Sequence, residues 1–534
     1  MSTKPTRRPV LGSRWPAAVL TAALAASGGA VAGPTPAQAA TTKTTKVKKD
    51  WLVDLALTPL QVVNSVIGAP AVWSKKDATG RKVTGQGVGV ALIDSGIAPV
   101  KGLAQAGKVI NGPDLSFESQ ATNLRNLDTF GHGTHMAGII AGRDPDAPAG
   151  KEDDPKYFAG VAPDAHLVNL RVGATDGAVD VSQIIAAVDW AVAHRNDTGL
   201  NIRVINLSFG TDSMQDPKFD PLSYAVEAAW RAGIVVVVSV GNDGATATRV
   251  GNPALNPYVI AVGGSDTAGT LTRDDDTIGA FSTKGDSIRH ADLVAPGRSI
   301  ASLRDPGSFI DTNYPEGLVA DTTGRFFKGS GTSQATAVVS GAAALLLQQR
   351  PSLTPDQVKK LLTSTAVPMK GVDAIAQGAG ELNIQAASAA ATPTTATQSF
   401  PRALGTGTLE GARGTAHVSD SESGVDLTGE RDIMNQPWNP ATWTAAAAAG
   451  RAWTGGTWNG NVWAGTGWNG ASWTTQTWNG TAWTARSWSG SNWAARSWSS
   501  AVWTGNSWSA GAWTARSWSA RSWSGSYWSS RTWQ

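Results

Sequence analysis

The chain contains no cysteine among its 534 residues. Neither a disulfide framework nor a thiolate metal site can form, so stability must come from a large buried core. A core of that size needs no covalent staples, which leaves export open. Beyond Ala40 no segment is apolar for the roughly 20 residues that a membrane-spanning helix requires. A concentrated basic face is missing too. The formal net charge is +3, but Lys4, Arg7, Arg8 and Arg14 stand in the first 39 positions; without them 40 Lys+Arg meet 41 Asp+Glu, or −1. Such a balance speaks against a nucleic-acid partner. From Trp438 onward lysine and acidic residues are absent and six arginines remain, so this tail carries +6 and residues 40–437 carry −7.

Five zones can be drawn. Residues 1–39 read as a secretory signal: a basic leader, an alanine-rich apolar stretch from Ala17 to Ala32, and the small-x-small site Ala37-Gln38-Ala39. Thr6-Arg7-Arg8 gives only a weak twin-arginine match, because Pro9 follows. A membrane anchor is the alternative, but Gly28 and Gly29 break the apolar run and leave it short. Residues 40–54 form a short polar, lysine-rich extension. Residues 55–391 are the globular zone, residues 392–437 a Thr-, Gly-, Ser- and Pro-rich linker, and residues 438–534 a repeat.

The globular zone alternates apolar strands with helices. Strands are expected at Val88–Ile93, Ala165–Val172, Arg203–Ser208, Ile234–Val240 and Val259–Val262, and helices at Ser182–His194, Ser223–Ala232, Thr332–Gln349 and Thr354–Ser364. This pattern predicts an α/β fold, a mostly parallel sheet sandwiched by helices. Sites in such sheets lie at the carboxyl ends of strands.

Three segments place chemistry there. Val90-Ala91-Leu92-Ile93-Asp94-Ser95-Gly96 ends a buried strand on a carboxylate. Gly131-His132-Gly133-Thr134-His135 is a glycine turn that opens a helix on an imidazole. Gly329-Ser330-Gly331-Thr332-Ser333-Gln334-Ala335 puts a hydroxyl at the start of an apolar helix. Taken singly, each has a plain structural reading as a cap or turn residue. Together they supply what acyl transfer needs. A serine hydroxyl needs an adjacent base, and imidazole titrates in the right range. The base needs a carboxylate to fix its tautomer. The developing oxyanion needs preorganised donors, here the Ser333 backbone N–H and a side-chain amide such as Asn242.

Over roughly residues 55–390 the chain resembles the subtilisin-like serine peptidases, in the form of a secreted, actinobacterial-type member with a tryptophan-rich tail. The order Asp…His…Ser along the chain is the order of that family. The resemblance implies Asp94 as orienting acid, His132 as general base and then acid, and Ser333 as nucleophile. It implies Asn242 and Ser333 as the oxyanion hole. It also implies that Ser208, Phe209 and Gly210 bind the substrate backbone as an added strand. The expected activity is a secreted endopeptidase working on polypeptides through an acyl-enzyme. The competing reading is a surface-binding protein whose peptidase domain has lost activity.

The sequence departs from the family pattern in places. Gln334 and Ala337 stand where Met and Pro are usual. Ala98-Pro99-Val100 replaces the acidic or histidine residue that usually follows Gly96 shortly. Residues 40 to about 55 are too few for the inhibitory pro-segment common in the family. His132 and His135 lack the spacing of a zinc helix, so His135 reads as a packed structural residue. The family often binds calcium at loops. The acidic runs Asp274-Asp275-Asp276 and Glu152-Asp153-Asp154 lack regular ligand spacing and read as solvated loop charges, so no metal ligand and no cofactor is assigned.

In the tail, tryptophan recurs every five residues from Trp453 to Trp533. Trp438 and Trp443 share the register, and Ala448 is the one gap. A period of five holds the rings on one face of neither a helix nor a strand. Asn459-Gly460, Asn469-Gly470 and Asn479-Gly480 supply hairpin turns, so short β segments in a hairpin array or a flat solenoid are expected. Two readings stand. The rings stack on one another as part of the fold, or they offer an aromatic platform to a cell-wall glycan, helped by arginines two positions before several of them.

Overall fold

The computed structural model describes residues 58–462, apart from 117, 120–123, 416, 420–425, 434–435, 455–456 and 460, together with 514–515. The expected leader and extension at 1–54, and the tryptophans from Trp463 onward, lie outside the described residues.

Eight strands form one sheet: β1 (Gly89–Asp94), β2 (Val109–Asp114), β3 (His166–Arg171), β4 (Ile202–Leu207), β5 (Val235–Ser239), β6 (Ile260–Asp266), β7 (Thr277–Ile278) and β8 (Leu293–Pro296). Their order is β2-β3-β1-β4-β5-β6-β7, with β8 joined to β6. Every pairing is parallel except β6 with β7. β1 and β5 are buried at each position, as unbroken apolar strands covered on both faces must be. β-branched valines suit such strands because their stiff side chains pack well on a pleated surface. β1 lies between β3 and β4, so the direction of the connections reverses there. That reversal opens a crevice at the carboxyl end of β1.

Five helices matter for the site: α1 (His132–Ala141), α2 (Val181–His194), α3 (Pro221–Arg231), α4 (Thr332–Gln349) and α5 (Pro355–Ser364). α1 packs on α4, and α2 on α3. α4 is buried from Thr332 to Gln348, its polar side chains Gln334, Thr336 and Ser340 included. A separate three-stranded sheet of Thr58–Pro59, Ile300–Leu303 and Phe326–Gly329 leads into α4. Helix starts follow local chemistry: Asp180 opens α2 and Thr354 opens α5, each in a reciprocal capping box with a glutamine three residues on.

The stretch expected to be a linker departs from that expectation. Described residues between 398 and 437 bond to the globular body at several points. Tyr258 donates its hydroxyl to the Phe400 carbonyl at 2.6 Å, and the Ala403 N–H reaches Glu227 at 2.9 Å. Leu409–Arg413 is a short helix, and Arg413, fully buried, pairs with Asp180 at 2.6 Å. The Thr- and Gly-rich composition hides a few strong anchors among weak residues.

The first tryptophans of the tail are packed as well. Trp443 sits in a helix, α6 (Pro440–Ala448), where short strands were expected. Trp453–Thr454, Thr457–Trp458 and Asn461–Val462 do form a small antiparallel sheet, with Asn459 in a left-handed turn. Trp438, Trp443, Trp453 and Trp458 are all buried. Trp438 lies 5.0 Å from Trp443 and 5.8 Å from Trp458, ring to ring. Ala448, the gap in the register, is exposed.

Candidate active site

β1 delivers Asp94 to the crevice, fully buried, opposite Arg171 in the β3 register. Two donors hold its Oδ1: the Ser95 N–H at 2.7 Å and the Ser95 hydroxyl at 3.2 Å. Both carboxylate oxygens lie 3.1 Å from His132 Nδ1. A donor at Nδ1 fixes the tautomer that presents Nε2 as the base. Burial pushes the Asp94 carboxyl well above its ordinary range, countered by the Ser95 donors. Burial likewise pushes the His132 imidazole well below its ordinary value, with the Asp128 carboxylate pulling the other way.

His132 is the first residue of α1, and the turn before it requires glycine. Gly131 has φ +106°, and a Cβ there would stand 2.5 Å from Ser308 Oγ. A Cβ on Gly133 would stand 2.1 Å from the Gly96 carbonyl oxygen, so α1 can approach the end of β1 only with glycine at that position.

Ser333 is the second residue of α4 and is 2% exposed. Its N–H is among the donors that a helix start leaves without an intrahelical acceptor. Asn242 Oδ1 accepts from the Thr332 N–H at 2.9 Å and the Thr332 hydroxyl at 3.0 Å. That orientation turns the amide nitrogen, the side chain's donor, toward Gly331, 3.3 Å from where a Cβ would stand. Ser208, Phe209 and Gly210 continue from the end of β4. The Ser208 hydroxyl lies 3.5 Å from the Ser333 carbonyl oxygen, so the segment runs beside the start of α4.

Sequence reasoning missed three supporting residues. Asp128, buried, accepts from the Gly131 N–H at 2.6 Å and the Thr134 N–H at 2.7 Å, and so caps α1. The Ser95 hydroxyl joins Asp128 Oδ1 at 2.8 Å to Asp94 Oδ1 and accepts from the Gly133 N–H at 2.9 Å. Arg171, fully buried, donates to the Ser95 carbonyl at 3.1 Å and pairs with Asp114 and Glu118. Asp128 four positions before His132, and Ser95 directly after Asp94, were the available signals.

His135 is packed beside the site. Its Nε2 lies 3.2 Å from the Ile300 carbonyl and 3.1 Å from the Phe327 carbonyl, and burial lowers its pKa to about 3. The acidic runs are not simply solvated, as expected. Glu152 is buried beside Arg143 and Lys82. Asp276 is buried against Glu381, where burial and that second carboxylate push it up to about 9. Among the described residues no three His, Cys, Asp or Glu side chains gather to hold a metal ion, and no calcium ligand is assigned.

A family model described as the subtilase family matches residues 85–407. Serine protease AprX of Bacillus subtilis (strain 168) is 38% identical over 312 residues, 57% of this chain and 67% of the relative. Subtilisin DY of Bacillus licheniformis is 32% identical over 323 residues, 60% of this chain and 97% of the relative. Subtilisin E of Bacillus subtilis (strain 168) is 33% identical over 331 residues, 60% and 70%.

Proposed function

Since the chain belongs to the subtilase family and is a serine endopeptidase, we propose that it cuts peptide bonds with Asp94, His132 and Ser333. The observation that carries this assignment is the bidentate approach of Asp94 to His132 Nδ1, at 3.1 Å to each oxygen. Ser333 Oγ attacks the scissile carbonyl carbon while His132 Nε2 takes its proton. Asp94 stabilises the imidazolium that results. The negative charge on the former carbonyl oxygen is held by the Ser333 N–H and the Asn242 amide. Collapse expels the amine with the proton returned from His132 and leaves an acyl-enzyme. Water, deprotonated by the same His132, then releases the acid. Ser208–Gly210 pairs with the substrate backbone as an added strand.

Ser333→Ala should abolish casein hydrolysis and labelling by an organophosphorus serine reagent, with an unchanged melting curve. Residual proteolysis like the parent's, in protein free of contaminants, would refute the assignment. Labelling at Ser333 also separates this reading from a binding protein with an inactive peptidase domain.

The location proposed is outside the cell. The support is the leader sequence at 1–39, and among the described residues no helix is long and apolar enough to cross a membrane. Protein recovered from culture medium should begin at or after Ala40 on N-terminal sequencing; a start at Met1 removes the idea. The tail from Trp463 is proposed to hold the enzyme on the cell envelope, with aromatic faces for glycans and arginine for anionic polymers.

A further inference from the structure

Helix α2 is buried at every position from Val181 to Val192. A helix flanking a sheet normally keeps a polar face for water. Here Ser182, Ala186 and Asp189, spaced to share one face, are met by the chain's own C-terminal region. The Ile433 N–H donates to the Ser182 hydroxyl at 2.9 Å, and Trp453 Nε1 to the Ala186 carbonyl at 2.6 Å. Trp443 and Trp458 both donate their indole N–H to Asp189 Oδ2, at 2.7 and 2.8 Å. At the start of the helix, Arg413 takes both oxygens of Asp180, the residue that caps α2. All of these partners lie beyond residue 407, where the family match ends.

The same cap leads to the active site. Gln183, the other half of the capping box, donates to the Leu115 carbonyl at 2.6 Å and the Val172 carbonyl at 3.4 Å. The Val172 and Gly173 N–H groups in turn donate to the Asp94 carbonyl at 2.8 and 3.3 Å. The loop between β3 and α2 is therefore strung between the end of β1 and the helix start that Arg413 grips.

We propose that the described residues between Leu409 and Trp458 form a C-terminal clasp on α2, and that Arg413 is a positioning residue that holds the Val172–Val179 loop against the strand end carrying Asp94. The proposal rests on the peptidase reading above. Arg413 suits the role because its planar fork meets a carboxylate with two fixed bonds, which lysine cannot do. Both side chains are wholly buried, so the pair is neither screened by salt nor replaced by water.

The test is turnover per active site in the full chain, titrated with the organophosphorus reagent. A clasp that only stabilises would change how many sites titrate. One that positions changes kcat per titrated site. Displacements of about 1 Å far from the chemistry can cost on the order of a hundredfold. Arg413→Met should therefore lower kcat per site at least about tenfold at a temperature well below its melting point, with Arg413→Lys between it and the parent. Parental kcat per site in Arg413→Met overturns the proposal. Should Arg413→Met fail to fold, Arg413→Lys carries the test by hydrogen exchange in a Ser333→Ala background. Faster exchange over residues 172–183 supports the clasp, and parental exchange overturns it. If the parent itself titrates no sites, the triad reading fails, and the exchange measurement still decides the clasp.

Discussion

Gln334 follows Ser333 and is fully buried, yet neither its Oε1 nor its Nε2 has a hydrogen-bond partner among the described residues. A Cβ on Gly329 would stand 2.5 Å from Gln334 Nε2, and one on Gly331 2.9 Å from Oε1. The amide is thus wedged between two glycine backbones beside His135. Leaving a buried polar group unpaired costs about 1–3 kcal/mol. Methionine has nearly the same length, no polar group to satisfy and a side chain that adapts to irregular space. Gln334→Met should raise the melting temperature, corresponding to a gain of about 1–3 kcal/mol, without moving the start of α4. An unchanged or lower melting temperature would mean that the amide has a partner which its burial conceals.

At the scale of elements, α2 carries a group whose titration can be followed. Burial pushes the Asp189 carboxyl up to about 7 from 3.8, against the lowering effect of the Trp443 and Trp458 donors. An acid with a raised folded-state pKa takes up a proton on folding. Its contribution to stability is complete below pH 3.8 and is lost as pH rises through 7. Tyr224, edge-on to Trp443 at 5.3 Å, is raised from 10.0 and titrates above that window. Asp189→Asn keeps an acceptor oxygen and never ionises. The difference in melting temperature between variant and parent, measured in a Ser333→Ala background, should move in favour of the variant between about pH 4 and 8. A constant difference would show that Asp189 titrates where an exposed aspartate does.

Elements were legible where their pattern is local. Val235–Ser239 and Gly89–Asp94 are unbroken apolar runs, and Thr332–Gln349 is an uninterrupted helix. Val109–Asp114 was missed because Asn111, Gly112 and Pro113 interrupt it. It is an edge strand, paired only with β3, where such residues are tolerated. The candidate site was legible for the same reason: Asp94, His132 and Ser333 each stand in a short motif that names its own chemistry. Asp128 and Arg171 act through tertiary contacts that no local pattern announces. Arg413 is the extreme instance, since its partner Asp180 lies 233 positions away.

For the whole molecule, packing on the globular body continues past Pro437 to at least Trp458. A chain ending at Pro437 would lack Trp438, Trp443, Trp453 and Trp458, all buried, and would bare the carboxylate of Asp189 in an apolar setting. Loss of one buried tryptophan side chain typically costs about 3–5 kcal/mol, a large part of the roughly 5–15 kcal/mol that holds a domain folded. That chain should melt far below the parent or fail to accumulate. A chain ending at Val462 keeps those four rings and removes the tryptophans from Trp463 to Trp533 with five of the tail's six arginines. It should melt like the parent and hydrolyse casein at the parent's rate. If the tail holds the enzyme on the envelope, only the full chain should sediment with isolated walls. High salt should weaken the part of that binding due to exposed charge and leave the part due to ring stacking. Equal sedimentation of the two longer chains would end the tethering idea, and equal melting of the chains ending at Pro437 and Val462 would end the clasp. The two ideas divide the tryptophan series between them. Trp438, Trp443, Trp453 and Trp458 are buried in the fold, and the tethering idea concerns the tryptophans after them.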